Sequence, residues 1–205
     1  MTMGMLTVVG TLLFLSTLAI AQNQKAMPPA PPAQKAEWVE INSYAKAIEQ
    51  FTKANPKKKR MFGNVAEEED KEDKWLEFKS AKELEDRDGV YDSAYVWLKD
   101  GKLVSAFLSF TSGSGDWYHY VYCYFRADGT LAKIHAQLNT FSSESGGLSV
   151  VRERFYSASG KLLHSSIRFL DLQTQKPRKR ENYMDMPIPV YKNVRALPFA
   201  KLLKT

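Results

Sequence analysis

Val96-Trp97-Leu98-Lys99-Asp100-Gly101-Lys102-Leu103, Tyr124-Phe125-Arg126-Ala127-Asp128-Gly129-Thr130-Leu131 and Phe155-Tyr156-Ser157-Ala158-Ser159-Gly160-Lys161-Leu162 are three versions of one pattern. An aromatic residue leads into Asp-Gly or Ser-Gly, and Lys or Thr then leads out to Leu. The glycines recur about every 30 residues, a period that marks a repeated supersecondary unit. Asp-Gly and Ser-Gly between apolar runs are tight-hairpin chemistry, because glycine takes left-handed backbone without a Cβ clash.

Strict alternation follows each glycine. Val104, Ala106, Leu108 and Phe110 share one parity, as do Ala132, Ile134, Ala136 and Leu138, and Leu163, Ser165, Ile167 and Phe169. Ser105 and Ser109, Lys133, His135 and Gln137, and His164, Ser166 and Arg168 take the other. Period-two alternation of this kind is half-buried antiparallel sheet. It predicts six strands in up-and-down order, near 90–98, 102–111, 116–126, 130–141, 148–157 and 161–172. The glycine turns gather at one end, and the Gly/Ser loops 112–115 and 142–147 at the other.

A cover for the apolar face precedes the repeats. Trp38, Ile41, Ala45, Ile48 and Phe51 recur at helical spacing between Glu37 and Ala54, and Asn55-Pro56 ends the run. The expected fold is therefore α+β: an N-terminal amphipathic helix packed on a curved, roughly six-stranded antiparallel up-and-down sheet. A nearly closed small β-barrel is the alternative. The basic run Lys57–Arg60 and the acidic run Glu67–Asp73 read as one solvated connection. A short second helix starts at Ser80, with Glu83 as its capping partner and Gly89 as its stop. Pro187, Pro189 and Pro198 break up the C-terminus, leaving a closing helix near Phe199–Lys204.

Tyr118, Tyr120, Tyr122 and Tyr124 occupy alternate positions of one strand, and the turn type sets their face. A two-residue Asp128-Gly129 turn would pair Val121 with Ala136 and stand the tyrosines beside Lys133, His135 and Gln137. A three-residue turn with Gly129 as the left-handed bulge would pair Tyr124 with Ala132 and Tyr122 with Ile134, on the helix-facing side. Arg152 and Arg154 share the parity of Val121 and Cys123, and two such arginines belong in water. The three-residue turn is preferred on that ground, and it puts His119, His135 and His164 together on the outer face.

The 205 residues are 44% hydrophobic, 25% charged and 12% aromatic, which excludes a disordered chain and supports a real core. A lone cysteine, Cys123, excludes an intrachain disulfide and a thiolate zinc site. The net charge of +6 is compatible with an anionic partner. Residues 6–20 are apolar or neutral, no charge precedes Lys25, and Ala19-Ile20-Ala21 has the small-x-small form of a signal-peptidase site. The reading is a signal peptide over 1–21, a Pro/Ala/Gln-rich linker over 22–36 built on Pro28-Pro29-Ala30-Pro31-Pro32, and one domain over 37–205. Polar Gln22 to Lys25 cut the apolar run short of a membrane anchor. Without an Asn-x-Ser/Thr acceptor or a cysteine pair, the chain reads as a bacterial periplasmic or secreted protein.

The candidate chemistry is sparse. His135 and His164 fall on strands separated by a third, about 9–10 Å apart, too far to share a metal ion. Ser112-Gly113-Ser114-Gly115 has no downstream Lys-Ser/Thr and opens a strand, so it is neither a phosphate loop nor a dinucleotide fingerprint, and no cofactor is expected. What remains is the row Tyr118, Tyr120, Tyr122 and Tyr124, with Asp116 and the basic cluster Arg178, Lys179 and Arg180 at the loop end. Phenol-bearing faces and basic rims suit an anionic or glycan-like envelope ligand. The leading reading is an exported, non-enzymatic binding or envelope-associated protein, with no nucleic-acid partner. A small hydrolase using Asp116 and His119, and a protein–protein interaction module, are the alternatives.

N-terminal sequencing of the exported protein is expected to begin at Gln22. A protein that keeps Leu12–Leu15 in the membrane would overturn both the export reading and the domain start.

Overall fold

The computed structural model of the chain describes residues 32–66 and 72–204. The signal peptide, most of the linker and most of the acidic run lie outside the described residues. The first helix, α1 (Pro32–Ala54), opens ahead of the expected Glu37. At its far end the Asn55 side chain donates to the Phe51 carbonyl at 2.8 Å, and Pro56 starts a single 3-10 turn, Pro56–Lys58.

The connection that follows is sheet rather than solvated loop. Strands β1 (Lys59–Asn64) and β2 (Trp75–Phe78) pair antiparallel, with Met61 opposite Phe78 and Asn64 opposite Trp75. Arg60, the last residue of the basic run, is held by both oxygens of the Glu77 carboxylate at 2.7 and 2.6 Å. Helix α2 (Ala81–Glu85) comes next. The Ser80 hydroxyl accepts from the Glu83 N–H at 3.1 Å, and the Glu83 carboxylate accepts from the Lys79 N–H at 2.8 Å.

Six strands make up the repeats: β3 (Asp92–Lys99), β4 (Lys102–Thr111), β5 (Trp117–Phe125), β6 (Leu131–Thr140), β7 (Leu148–Tyr156) and β8 (Leu162–Asp171). The whole is one antiparallel sheet of eight strands in the order β2-β1-β3-β4-β5-β6-β7-β8. Its outer strands, β2 and β8, are not joined, so the sheet is open and the nearly closed barrel is not formed. The count is eight rather than six because β1 and β2 are short and lie among charged residues that hide their alternation.

The turns hold the key to which side chains share a face. Asp100 and Gly101 both have positive φ, 51° and 74°, the two-residue hairpin turn. Gly129 closes a three-residue turn, its N–H donating to the Arg126 carbonyl while the Arg126 N–H donates to Thr130, both at 2.8 Å. Gly160 repeats that arrangement with Ser157 and Lys161. A bulge then follows in every hairpin. Register shifts fall between Trp97 and Leu98, Tyr124 and Phe125, and Phe155 and Tyr156. The unpaired extra residues are Val104, Ala132 and Leu163, each three positions after its glycine.

This second irregularity corrects the expected register. Tyr124 lies opposite Lys133 and Tyr122 opposite His135, not opposite Ala132 and Ile134. The tyrosines still face α1, because α1 covers the side carrying Lys133, His135 and Gln137. Each bulge turns one apolar residue onto that side. Val104 packs with Ala45 and Ile48, and Ala132 and Leu163 pack with Ile41 and Trp38. The expected stripe of α1 thus packs on the sheet, with Ile41, Ala45 and Ile48 buried and Trp38 and Phe51 half-buried at its ends.

The more apolar side, which α1 was expected to cover, is covered by the C-terminal segment instead. Ile188, Leu197 and Phe199 pack onto Phe62, Val96, Leu108, Val121, Phe125 and Ile134. Phe199 stacks on Phe62 at 4.6 Å between ring centroids, and the short closing helix is a 3-10 helix, Ala200–Lys204. Arg152, expected in water, is taken up by the same segment through the Tyr183 hydroxyl, the Asp185 carboxylate and the Met186 carbonyl. Burying a large apolar side chain contributes about 1.5–3 kcal/mol, so both covers matter to stability.

Two covers predict two sensitivities in urea unfolding. Phe199→Ala is expected to cost about 3–5 kcal/mol, as large buried truncations do. Ile48→Asp should unfold the domain by burying an unpaired charge, whereas exposed Lys46→Asp should stay within about 0.5 kcal/mol. A Phe199→Ala protein as stable as the parent would show that the C-terminal segment is not part of the core.

Candidate functional site

Three rows of side chains run across the α1 side of the sheet. Trp97, Ser105, Tyr124, Lys133, Phe155 and His164 are successive cross-strand partners in the first. Tyr95, Phe107, Tyr122, His135, Glu153 and Ser166 form the second, and Tyr120, Gln137 and Val151 lie in the third. Helix α1 passes above these rows, and a cleft of about 700 Å³ opens between it and the sheet. Asn42, Lys46, Glu49 and Thr52 line the helix wall, while Trp97, Phe107, Tyr122 and Gln137 line the sheet wall.

An ion pair forms the inner end of the cleft. The Lys133 side chain is only 5% exposed, and its Nζ sits 2.8 Å from Glu153 Oε1 and donates to Asn42 Oδ1 at 2.8 Å. The ammonium also lies over the Phe155 ring, 5.0 Å from its centroid. His135 Nδ1 is 3.6 Å from the same Glu153 oxygen. Hydrogen bonding from His135 and Lys133 holds the Glu153 carboxyl down at about 2, against the opposing effect of burial. Across the cleft the Tyr124 hydroxyl donates to Glu49 Oε1 at 2.9 Å. Burial, reinforced by Glu49, pushes the Tyr124 phenol far above its ordinary value, and burial raises Tyr122 as well. Polar ties at Asn42 and Glu49 therefore hold α1 over the rows, beside a third in which the Tyr44 hydroxyl donates to the Phe125 carbonyl at 2.6 Å.

The residues singled out in the sequence are divided between the cleft and the loop end. Tyr122 and Tyr124 line the cleft. Tyr120 and the exposed Tyr118 continue along the same face beyond it, with ring centroids 6.4 Å apart. Asp116 is exposed in its loop and accepts from the Ser114 hydroxyl at 2.6 Å. His119 lies on the opposite side of the sheet, buried against Phe110, and no hydrogen bond or ion pair joins it to Asp116. The three histidines do not share a face: His119 is under the C-terminal segment, while His135 and His164 are on the α1 side, His164 stacked on Trp38. Burial, helped by Arg152, lowers His119 to about 4, and burial pushes the Cys123 thiol up to about 12.

The basic cluster also separates. Arg178 donates to the carbonyls of Gly147 and Ser145 at 3.1 and 3.2 Å and lies within 4 Å of Asp171 and Glu181, so it fastens the chain after β8 to the 142–147 loop. Lys179 and Arg180 are exposed there, away from the cleft. Among the described residues no three His, Cys, Asp or Glu side chains are grouped to hold a metal ion. No described helix is long and apolar enough to cross a membrane. Lys133, Glu153, Asn42 and Glu49 were not singled out in the sequence. Their one visible signal is the charge within otherwise alternating strands, at Lys133 and Glu153.

Two groups give the stability a definite pH dependence. His119 has an ordinary value of 6.5 and about 4 in the fold, so between those values the unfolded chain takes a proton that the folded chain refuses. Stability should fall as pH drops from 6.5 to 4, and His119→Gln should flatten that slope. Glu153, ordinarily at 4.5 and held near 2, adds a second loss below pH 4.5 as its pairing is protonated away. Glu77, Asp128, Asp171 and Glu181 are also held down and share that loss, so Glu153→Gln should reduce this second slope and leave the first unchanged. Urea midpoints measured across pH would expose either assignment as wrong if the variant kept the parent slope.

The chain finds no match among protein-family models, curated proteins or solved structures.

Proposed function

We propose that this is an exported binding protein that holds a small ligand, without converting it, in the cleft between α1 and the sheet. One observation carries the reading: a cleft of ligand size has an aromatic sheet wall facing a polar helix wall, and an engaged ion pair closes its inner end. Small-molecule sites are commonly concave, about 300–1,000 Å³, with apolar walls and a few convergent polar groups. The Glu153 carboxylate, pinned by Lys133 and His135 and ionised at neutral pH, serves as a fixed orienting charge rather than as a group exchanging protons. The Cys123 thiol and His119 imidazole are enclosed on the other side of the sheet, away from any bound ligand. Export to the periplasm or medium, read from Ala19-Ile20-Ala21, would bring the cleft to ligands of the cell envelope.

The test is mass spectrometry of the undenatured protein, isolated from its native compartment, beside Lys46→Trp. Lys46 is an exposed helix residue at the cleft wall, so an indole there narrows the cleft without entering the core. A retained small molecule on the parent that is absent from folded Lys46→Trp is the expected result. Equal retention by both proteins, or none by either, would overturn the cleft as the binding site.

A further inference from the structure

The charged groups at the inner end of the cleft are already engaged, while the remaining ones, Lys46 and Lys53, are exposed on the helix wall where solvent screens them, and that narrows the ligand class. Lys133 is paired with Glu153 and bonded to Asn42, and Glu49 accepts from Tyr124. An anion entering beside Lys133 would meet Glu153, and a cation entering beside Glu153 would meet Lys133. Neither gains a free counter-charge at the inner end.

The polar atoms left over are of a different kind. The hydroxyls of Ser105 and Tyr122 line the cleft and make no hydrogen bond among the described residues. Gln137 donates from Nε2 to Asn139 and Ser149, both at 3.0 Å, which leaves its carbonyl oxygen as an acceptor. His135 turns Nδ1 to Glu153 and keeps Nε2 toward other partners. Hydroxyls both donate and accept, the amide oxygen only accepts, and the imidazole nitrogen takes either role with its protonation. The group that satisfies such a mixed set without carrying charge is another hydroxyl. Beside these atoms stands a cluster of tilted aromatic rings: Phe107 lies 4.6 Å from Tyr122 and 5.9 Å from Tyr120, centroid to centroid. The negative face of an aromatic ring attracts the weakly positive C–H bonds on one side of a sugar ring.

We propose that the cleft takes an uncharged saccharide, its ring faces over Phe107 and Tyr122 and its hydroxyls among Ser105, His135 and Gln137. The proposal rests on the reading of the cleft as the binding site. Further sugar units would continue over Tyr120 and Tyr118, which extend the same aromatic face beyond the cleft.

The experiment is isothermal titration of the full mature chain with maltotetraose, cellotetraose and chitotetraose, alongside citrate, spermidine and laurate. At least one tetrasaccharide is expected to bind, with little change on adding salt, because no net ionic contact forms. Phe107→Ala and Gln137→Leu should each weaken it about tenfold or more, while Lys179→Ala should leave it unchanged. Thermal unfolding of the variants, and the exposed Lys46→Trp substitution as a second way of blocking the cleft, separate lost binding from lost folding. If citrate, spermidine or laurate binds in a manner blocked by Lys46→Trp and no sugar does, the saccharide class is overturned while the cleft remains a binding site. Sugar binding indifferent to Phe107→Ala, Gln137→Leu and Lys46→Trp would overturn the placement. No binding by any of the six probes would overturn the saccharide class.

Discussion

A β-strand offers its side chains alternately to two faces, and a sheet covered on both faces must satisfy both with one sequence. Here the bulge after each turn glycine reconciles the two demands. In a bulge, two neighbouring residues oppose one on the partner strand, so consecutive side chains come to lie on the same side. Val104 and Ser105, Ala132 and Lys133, and Leu163 and His164 are such pairs, each lying toward α1. The first member of each pair supplies apolar contact to the helix, and the second begins the row that lines or flanks the cleft. Ala106 and Ile134 then resume under the C-terminal segment. Without the extra residue, Val104, Ala132 and Leu163 would join that second face, and α1 would lose their aliphatic contacts at the turn end.

The hairpins were legible because turn chemistry is local: Asp100-Gly101, Asp128-Gly129 and Ser159-Gly160 need only their own backbone to be recognised. The strands that follow them lie where alternation places them. The bulges were not read, although each leaves a trace. Leu103-Val104-Ser105, Leu131-Ala132-Lys133 and Leu162-Leu163-His164 share the order apolar, apolar, polar, which breaks alternation at the same place three times. Taking Val104, Ala106 and Leu108 as one face smoothed over that break. The arginines misled for a related reason. A charged residue reads as solvent-facing unless its partner is known, and the partners of Arg152 lie more than thirty positions away, at Tyr183, Asp185 and Met186. Strands β1 and β2 escaped because four to six residues flanked by lysines and acids carry too few alternations to stand out.

The candidate site was half legible for the same cause. A row of tyrosines announces itself in sequence, and Tyr122 and Tyr124 do line the cleft. The groups that organise the cleft come from α1, β6 and β7, and nothing local links Asn42, Lys133 and Glu153 until the bulges place the polar rows beneath the helix. Polar residues on a strand ordinarily signal water. Here they signal a second covering layer.

The ion pair under α1 is a poor device for stability. Removing Lys133 from water costs several kcal/mol, and attraction to Glu153 with a bond to Asn42 does little more than offset that loss. Apolar residues at these positions would pack as well and would let the helix settle onto the sheet. The pair does something an apolar contact cannot. The apolar stripe of α1, running from Trp38 to Ile48, has no directional preference along the rows, whereas a bond from Lys133 to Asn42 and another from Tyr124 to Glu49 each admit one helix position. With the helix fixed at both points, the space between them is kept from collapsing, and the side chains facing it stay oriented before any ligand arrives. Such preorganisation lowers the ordering cost of binding, so the stability forgone at Lys133 and Glu153 is consistent with a cleft maintained for occupancy.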